Sequence, residues 1–177
     1  MKFTELNLKG AFVIELERKE DERGFFARSF CQREFQKIGL NSNIRQCDIS
    51  YNKQKGALRG IHYQTPPYEE DKIVQCVQGA IYDVIIDLRK NSSTYCKWIA
   101  IELKAEDYTM LYCPKGFAHG FQTLKDNTVI HYQMSEFYYP KGSTGLRWDD
   151  PTFNITWPIE KKIISQNDQK FPLFKTS

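Results

Sequence analysis

The sequence predicts an all-β fold, in which short strands form a sandwich or a barrel around one core. Three observations favour this class. Ten strand-like runs recur along the 177 residues, separated by turn residues. Aromatic residues make up 14% of the chain, which is typical of strands and of a site that stacks against a ligand. Helical patterns do not alternate with the strands, and this argues against a doubly wound sheet.

The elements are predicted in chain order. The first half has strands over 10–17, 25–30, 44–50, 56–64 and 72–77. One short helix is predicted over 31–38, because Gly39 follows it in the position that ends many helices. The second half has strands over 80–88, 97–103, 108–113, 120–124 and 129–135. The strand over 97–103 shows the clearest alternation, with Ile99, Ile101 and Leu103 on one face.

Composition indicates one globular domain over 1–177, long enough to bury a core without disulfides. The net charge of +3 is small and dispersed, so we expect no nucleic-acid partner. The first residues do not form a signal peptide and no apolar run has membrane-spanning length, so we expect a cytoplasmic protein without a membrane partner. The five cysteines are odd in number and form no Cys-x-x-Cys pair, which favours reduced, buried thiols.

Two of the three histidines lie in glycine-flanked apolar segments. Residues 114–120 (PKGFAHG) have the Pro-x-Gly-x-x-His pattern found in cupin-type barrels. Residues 58–64 (LRGIHYQ) stand where such barrels usually carry a His-x-His metal pair, but here only His62 is present. We therefore predict a jelly-roll β-barrel of the cupin type with a few short helices and a ligand in its mouth. The lone imidazole favours acid–base chemistry over metal chemistry.

An ordered series of motifs covers nearly the whole chain: residues 21–26 (DERGFF), 58–64, 72–74 (KIV), 82–89 (YDVIIDLR), 114–121 (PKGFAHGF), 148–151 (WDDP) and 164–168 (ISQND). This series resembles the dTDP-4-dehydrorhamnose 3,5-epimerase family. The resemblance implies a jelly-roll homodimer without metal or organic cofactor. It implies a nucleotide-diphosphate 4-keto-6-deoxy sugar as substrate, in the biosynthesis of L-rhamnose or a related surface sugar.

A 4-keto sugar has acidic protons on C3 and C5, the two carbons beside the carbonyl. Inverting either centre requires a base on one face, a proton donor on the other and a group that stabilises the enolate between them. Imidazole has a suitable pKa for the base, and His62 matches the family's catalytic histidine. Asp168 matches the carboxylate that orients it, although Asp168 alone could also cap a C-terminal turn.

Tyr132 matches the family's proton donor, and Tyr138 is the alternative donor. Among ten tyrosines, Tyr132 could instead be a barrel-lining aromatic. Lys72 is the natural cation for the enolate oxygen, or else a solvated charge at the start of a strand. His119 matches a substrate contact in the family.

Arg59 and Arg23 suit a diphosphate, because guanidinium groups bind phosphate oxygens in a bidentate way. Phe26 could stack on the base or the sugar. A surface salt bridge is the alternative role for either arginine.

Several expected nucleotide contacts differ from the family's pattern. Arg28 replaces a glutamate, Gln46 and Asp48 stand in a Gln-x-Asn element, Ser143 replaces a glutamate and Asn167 replaces a lysine. All of these remain candidate substrate-binding residues. The changes suggest altered specificity, so we hypothesise a related sugar with a different nucleotide, or inversion of only one carbon.

Two other classes of function remain open. A metal-dependent cupin would need three or four ligands, of which His62 and His119 could supply two and Glu69 or Glu70 a third. A non-catalytic sugar-nucleotide binding module would keep the barrel without turnover. The second class does not explain why His62, Asp168, Lys72 and Tyr132 occur together.

Overall fold

Antiparallel strands dominate the computed structural model, which describes residues 1–175. The strands of these residues are β1 (Lys2–Glu5), β2 (Phe12–Glu15), β3 (Lys19–Asp21), β4 (Gly24–Phe26), β5 (Gln46–Asn52), β6 (Ala57–Gln64), β7 (Lys72–Gln78), β8 (Ala80–Asp87), β9 (Trp98–Lys104), β10 (Met110–Cys113), β11 (Phe117–Thr123), β12 (Thr128–Met134), β13 (Ser143–Gly145) and β14 (Ile163–Ile164). The helices are α1 (Gln32–Lys37) and α2 (Gln166–Gln169), and a 3-10 turn covers Ala105–Asp107.

Two sheets form the body of the fold. The first has the strand order β1-β2-β10-β7-β12-β5, and the second has the order β13-β6-β11-β8-β9. Strand β14 adds to β6 in parallel, and β3 and β4 form a separate hairpin. Because neighbours in the sheets are distant in sequence, the chain crosses repeatedly between sheets, as a jelly roll requires.

The main core lies between the two sheets. Val74, Leu111 and Ile130 contribute from the first sheet, and Ile85 and Phe121 from the second. All five side chains are at most 2% exposed. Each lies on the face of its strand that points to the other sheet. Its neighbours in sequence point to the opposite, outer face, because side chains alternate along a strand. The inward positions therefore decide which polar side chains reach the interior.

Each sheet is also covered on its outer face. Helix α1 packs Phe35 against Ile73 and Tyr112 on the first sheet. A segment after β13 packs Phe153 and Trp157 on the second sheet. Strand β5, at the edge of the first sheet, keeps exposed apolar side chains. None of the helices in residues 1–175 is both long and apolar enough to span a membrane.

The predicted fold class is confirmed: the chain is an all-β jelly roll of the cupin type with two short helices in the described residues. The helix predicted over 31–38 is α1, with Cys31 at its N-cap. The strand predicted over 25–30 ends at Phe26. The strand predicted over 108–113 begins at Met110, because the 3-10 turn and Tyr108, with a left-handed φ of 54°, precede it. Strands β1, β3, β13 and β14 were not predicted, because two to four residues are too short to show a period.

Asp87 ties down the loop that follows β8. Its fully buried carboxylate accepts hydrogen bonds from the side chains of Arg89 (2.8 Å), Ser92 (2.6 Å) and Thr94 (2.6 Å). Burial raises the pKa of Asp87, but these hydrogen bonds outweigh it and lower the pKa to about 2. The carboxylate therefore contributes stability only while it is ionised.

We expect Asp87 to add acid sensitivity to folding. Its folded pKa of about 2 lies below the ordinary 3.8, so the stabilisation is complete above about pH 4 and is lost as the pH falls toward 2. The loss should be about 2 kcal/mol, from ~1.4 kcal/mol per pKa unit. Urea unfolding of the wild type and Asp87→Asn, from pH 6 to pH 2.5, measures it. The fall in the free energy of unfolding between pH 6 and pH 2.5 should be smaller in the variant than in the wild type. An unchanged pH profile would contradict this role.

Candidate active site

A cavity of about 470 Å³ opens between the two sheets. Eleven of the predicted site residues line it: Gln46, Asp48, Arg59, His62, Lys72, His119, Tyr132, Tyr138, Ser143, Asn167 and Asp168. His62, Arg59 and His119 come from the second sheet, whereas Lys72, Tyr132 and Asp48 come from the first. A ligand in the cavity would therefore have the histidines and the tyrosine on different walls.

Two glycines allow β6 and β11 to approach closely at this cavity. A Cβ atom on Gly60, which has a φ of +116°, would lie 2.6 Å from the Cα of Gly120. A Cβ atom on Gly120 would lie 2.8 Å from the carbonyl oxygen of Arg59. Larger residues at either position would separate the strands. The close contact keeps His62 directly opposite His119 in the register.

His62 forms a hydrogen-bonded pair with the buried carboxylate of Asp168. Its Nε2 lies 2.8 Å from Oδ1 of Asp168, and the backbone N–H of Gly60 donates to Oδ2 at 3.3 Å. Burial raises the pKa of the Asp168 carboxyl, but the hydrogen bonds from His62 and Gly60 outweigh it and the net pKa is lowered. An ionised Asp168 accepts a hydrogen bond from the Nε2–H of His62. The other ring nitrogen, Nδ1, therefore keeps its lone pair.

Local structure explains how Asp168 reaches β6. Strand β14 pairs with β6 in parallel, with Ile164 opposite Leu58. Ser165 then caps α2, and its hydroxyl accepts from the backbone N–H of Asp168 at 3.0 Å. The capping residue is thus Ser165, and the Asp168 carboxylate is directed to His62. Phe171, which follows α2, contacts the His62 ring at a centroid distance of 5.6 Å.

Tyr132 lies on the inward face of β12 and packs against the core. Its ring centroid is 6.2 Å from that of His119. Burial, with a smaller contribution from the Asp83 carboxylate, raises the pKa of the Tyr132 phenol. The phenol is therefore protonated at neutral pH, as a proton donor must be.

His119 has a carboxylate partner of its own. Its Nε2 lies 2.6 Å from Oδ1 of Asp83, which is fully buried on β8. We did not predict Asp83 as a site residue. A signal was available, because an aspartate in the apolar run over 80–88 requires a partner when it is buried.

Lys72 begins β7 and directs its ammonium into the cavity wall. Its Nζ lies 2.9 Å from Oε1 of Glu70, and their side chains are 15% and 10% exposed. The interpretation of Lys72 as a solvated charge is therefore wrong. Glu70 was considered only as a metal ligand.

The rim of the cavity carries the remaining polar residues. Arg59 lines the cavity and donates from Nε to Oδ1 of Asn52 at 2.8 Å. Gln46 donates to Asp48 at 2.8 Å and accepts from the backbone N–H of Tyr138 at 3.0 Å. Tyr138 is 59% exposed, so its ring is available to a ligand.

Three predicted substrate-binding residues lie outside this cavity. Arg23 forms an ion pair with Asp21 in the β3–β4 hairpin, and its side chain is 86% exposed. Phe26 is 73% exposed at the end of the same hairpin. Arg28 pairs with Glu34 of α1 at 2.9 Å. Within one chain, none of these three side chains lines the cavity.

Residues 1–175 contain no group of three or more His, Cys, Asp or Glu side chains placed to hold a metal ion. The candidate ligands have other partners: His62 pairs with Asp168, His119 with Asp83 and Glu70 with Lys72. The donor set expected for a metal-dependent cupin is therefore not assembled in this part of the chain.

The described geometry suits proton transfer at carbon. An imidazole with an ionised carboxylate partner lies on one wall of the cavity, and a protonated phenol and an ammonium lie on the other. A carbon acid between these walls could lose a proton to the imidazole and become a planar enolate, and the enolate could gain a proton from the phenol on the other side.

Comparisons with known proteins agree with one another. A family model described as dTDP-4-dehydrorhamnose 3,5-epimerase matches residues 5–176. A protein of that name from Methanothermobacter thermautotrophicus is 39% identical over 173 residues, covering 96% of this chain and 92% of the relative.

Solved structures give the same result. The crystal structure of dTDP-4-dehydrorhamnose 3,5-epimerase from Bacillus anthracis, with TDP and PPi bound, superposes with a TM-score of 0.94 at 38% identity. It covers 98% of this chain and 99% of that one. A Legionella pneumophila dTDP-6-deoxy-D-glucose-3,5-epimerase in complex with dTDP-4-keto-L-rhamnose has a TM-score of 0.91 at 32% identity, covering 97% and 92%.

Proposed function

This chain belongs to the dTDP-4-dehydrorhamnose 3,5-epimerase family and is a sugar-nucleotide epimerase of deoxysugar biosynthesis, and we propose that the cavity between its sheets is the active site. The substrate is a nucleotide-diphosphate 4-keto-6-deoxyhexose, which is inverted at C3, C5 or both. One observation carries this proposal. The His62–Asp168 pair and Tyr132, from different sheets, line the same cavity together with Lys72.

His62 is the base in this proposal. Nε2 donates to the Asp168 carboxylate, so Nδ1 removes the proton from C3 or C5. The ionised Asp168 then stabilises the imidazolium that forms, and it keeps the ring in the productive tautomer. The imidazole is 41% exposed, which leaves its other edge open to a sugar in the cavity.

Tyr132 returns a proton to the opposite face. Its phenol is a weak acid, but the enolate is a strong base, and a donor already hydrogen-bonded to the carbon need not be acidic in water. The Lys72 ammonium, whose side chain is 15% exposed, faces the oxygen of the enolate, and a fixed charge is most effective where it is shielded from solvent. His119 supports the same oxygen.

Rim residues bind the nucleotide in this proposal. Arg59 contacts the diphosphate, and Tyr138 stacks on the base. Asp48, Ser143 and Asn167 line the same opening and depart in charge from the family's pattern. A nucleotide that does not match these polar side chains would leave them unpaired at the opening, so they set specificity.

We also propose that the enzyme is a homodimer. Strand β5 is an unpaired edge, and it exposes Ile49 (72%) and Tyr51 (49%), while Val77 on β7 is 48% exposed. Ile49 also borders the cavity, so a partner seated on β5 would reach the opening. The partner's hairpin could then supply Arg23 and Phe26, which do not reach the cavity of their own chain.

This arrangement predicts complementation between a variant with weakened substrate binding, Arg23→Ala, and an inactive one, His62→Ala. Arg23→Ala should raise KM by about tenfold to hundredfold, because the substrate loses one charge-assisted hydrogen bond. In a mixed dimer with His62→Ala, one cavity has an intact His62 and receives an intact partner hairpin. The activity of the co-expressed protein, measured as epimerised sugar per total protein, should therefore exceed the activity of either homodimer. If Arg23 acts in its own chain, mixing restores nothing.

We place the enzyme in the cytoplasm. All five cysteines are free, and Cys76 and Cys113 are buried. Burial raises the pKa of the Cys76 thiol to about 11, so this thiol is un-ionised and unreactive. A reducing compartment suits such a chain.

Solvent exchange tests the function directly. In D₂O, the wild type should catalyse the incorporation of deuterium at C3, C5 or both of a 4-keto-6-deoxy sugar, and NMR measures this incorporation. A 4,6-dehydratase supplies the keto sugar, and a terminal reductase converts the product. The panel carries the same sugar on dTDP and on other nucleotides. Absence of exchange with every sugar would favour the non-catalytic binding module. Fast double exchange on the dTDP sugar alone would remove the case for altered specificity.

A further inference from the structure

Two largely buried polar residues next to Lys72, Glu70 and Gln64, form one hydrogen-bonded unit. Glu70 lies in the loop before β7, and Gln64 is the last residue of β6. Oε1 of Glu70 lies 2.9 Å from the Lys72 ammonium, and Oε2 accepts from Nε2 of Gln64 at 3.1 Å. Each oxygen of the carboxylate thus has its own donor, and the carboxylate cannot rotate without losing one.

Gln64 is itself held in one orientation. Its Oε1 accepts from the backbone N–H of Tyr139 at 2.7 Å. The two hydrogens on its Nε2 are shared among three acceptors, namely Glu70 and the carbonyl oxygens of Tyr68 (2.9 Å) and Phe137 (3.1 Å). A flipped amide would place like groups against each other at these contacts. Nε2 must therefore face Glu70, and the 6% exposure of Gln64 excludes competing water.

This unit removes the freedom of the lysine. A lysine side chain has four rotatable bonds and no preferred direction of its own. The Glu70 carboxylate uses one of its three N–H donors and leaves two for the cavity. Because both groups are largely buried, the ion pair is stronger than a surface pair. The ammonium is thereby in place before the substrate arrives, which lowers the cost of stabilising developing charge.

We propose that Glu70 is a positioning residue for Lys72, and that Gln64 fixes Glu70 through the second carboxylate oxygen. The inference rests on the proposed function, in which Lys72 faces the enolate oxygen. Glu70 and Gln64 also line the cavity, and the role proposed for Glu70 is exerted through the ammonium that it holds. The same unit links Lys72 to the segment 137–139, because Gln64 binds the backbone on both sides of Tyr138.

Glu70→Gln tests the inference, with Glu69→Gln as the matched control. The amide puts an NH₂ group in place of one carboxylate oxygen and removes the negative charge, so it cannot reproduce both the Oε1 contact with Lys72 and the Oε2 contact with Gln64. We expect kcat for the dTDP-linked 4-keto-6-deoxy sugar to fall by about tenfold to hundredfold with KM within about twofold, the effect of a misplaced group rather than lost binding. Glu69 does not line the cavity, and its variant should keep wild-type kcat. Wild-type kcat in Glu70→Gln would overturn the inference.

Chemical rescue separates positioning from simple folding effects. Lys72→Ala should regain activity with propylammonium, because the Glu70 carboxylate still attracts a cation to the vacated position. The double variant Lys72→Ala/Glu70→Gln removes both charges and should show rescue about tenfold weaker. Equal rescue of the two would overturn the inference, as would full activity of Lys72→Ala. A wild type that exchanges no sugar proton would instead overturn the proposed function, so the two failures are distinguishable.

Discussion

Replacing His62 by alanine is expected to lower the rate of proton exchange at C3 and C5 by roughly 10²–10⁴, the usual contribution of a positioned general base. Alanine removes Nδ1, the only lone pair that the Asp168 hydrogen bond leaves available on that ring. Water could fill the space, but it is a much weaker base than imidazole. Binding should survive, because the nucleotide contacts lie on the rim of the cavity.

Deuterium incorporation by NMR measures the exchange rate, and titration with dTDP measures binding. His131→Gln is the matched control. His131 precedes Tyr132 on β12 and does not line the cavity, so its variant should exchange within about twofold of the wild type. Light scattering checks that both variants keep the oligomeric state. Exchange at the wild-type rate in His62→Ala would reject the acid–base mechanism.

Local patterns in the sequence were sufficient for the fold class. Inward and outward residues alternate clearly over 97–103, and the structure has β9 at Trp98–Lys104. Gly39 correctly marked the end of α1. Shorter elements carried no such signal. Strand β14 has two residues, yet it brings Ser165 and Asp168 alongside β6.

The candidate site was harder to derive from physical reasoning alone. His62 and Asp168 are 106 positions apart, and only the parallel pairing of β14 with β6 joins them. Resemblance to a family supplied that pair, and no periodicity could have done so. Glu70 was missed as a partner of Lys72 because a charged residue in a loop carries no pattern. In the homodimer that we propose, Arg23 acts on the cavity of the partner chain, and one sequence does not describe that arrangement.

Replacing Tyr132 by phenylalanine is expected to separate proton removal from inversion. His62 still removes the proton, but the opposite face has no donor, so the enolate is reprotonated from the His62 side with its original configuration. Formation of epimerised sugar should fall by roughly 10²–10³, whereas deuterium should still enter the unepimerised substrate. Phenylalanine keeps the ring that packs against the core, so folding should be little affected.

NMR in D₂O distinguishes the two processes in one experiment, because the labelled substrate and the epimerised product have separate signals. Tyr138→Phe is the matched comparison, since Tyr138 lines the same cavity from the rim. It should bind the nucleotide sugar nearly as well as the wild type and keep its rate of inversion, because the aromatic ring remains for stacking. If Tyr138→Phe loses inversion while Tyr132→Phe retains it, the proton donor is Tyr138. The buried, protonated phenol of Tyr132 is then only part of the barrel wall.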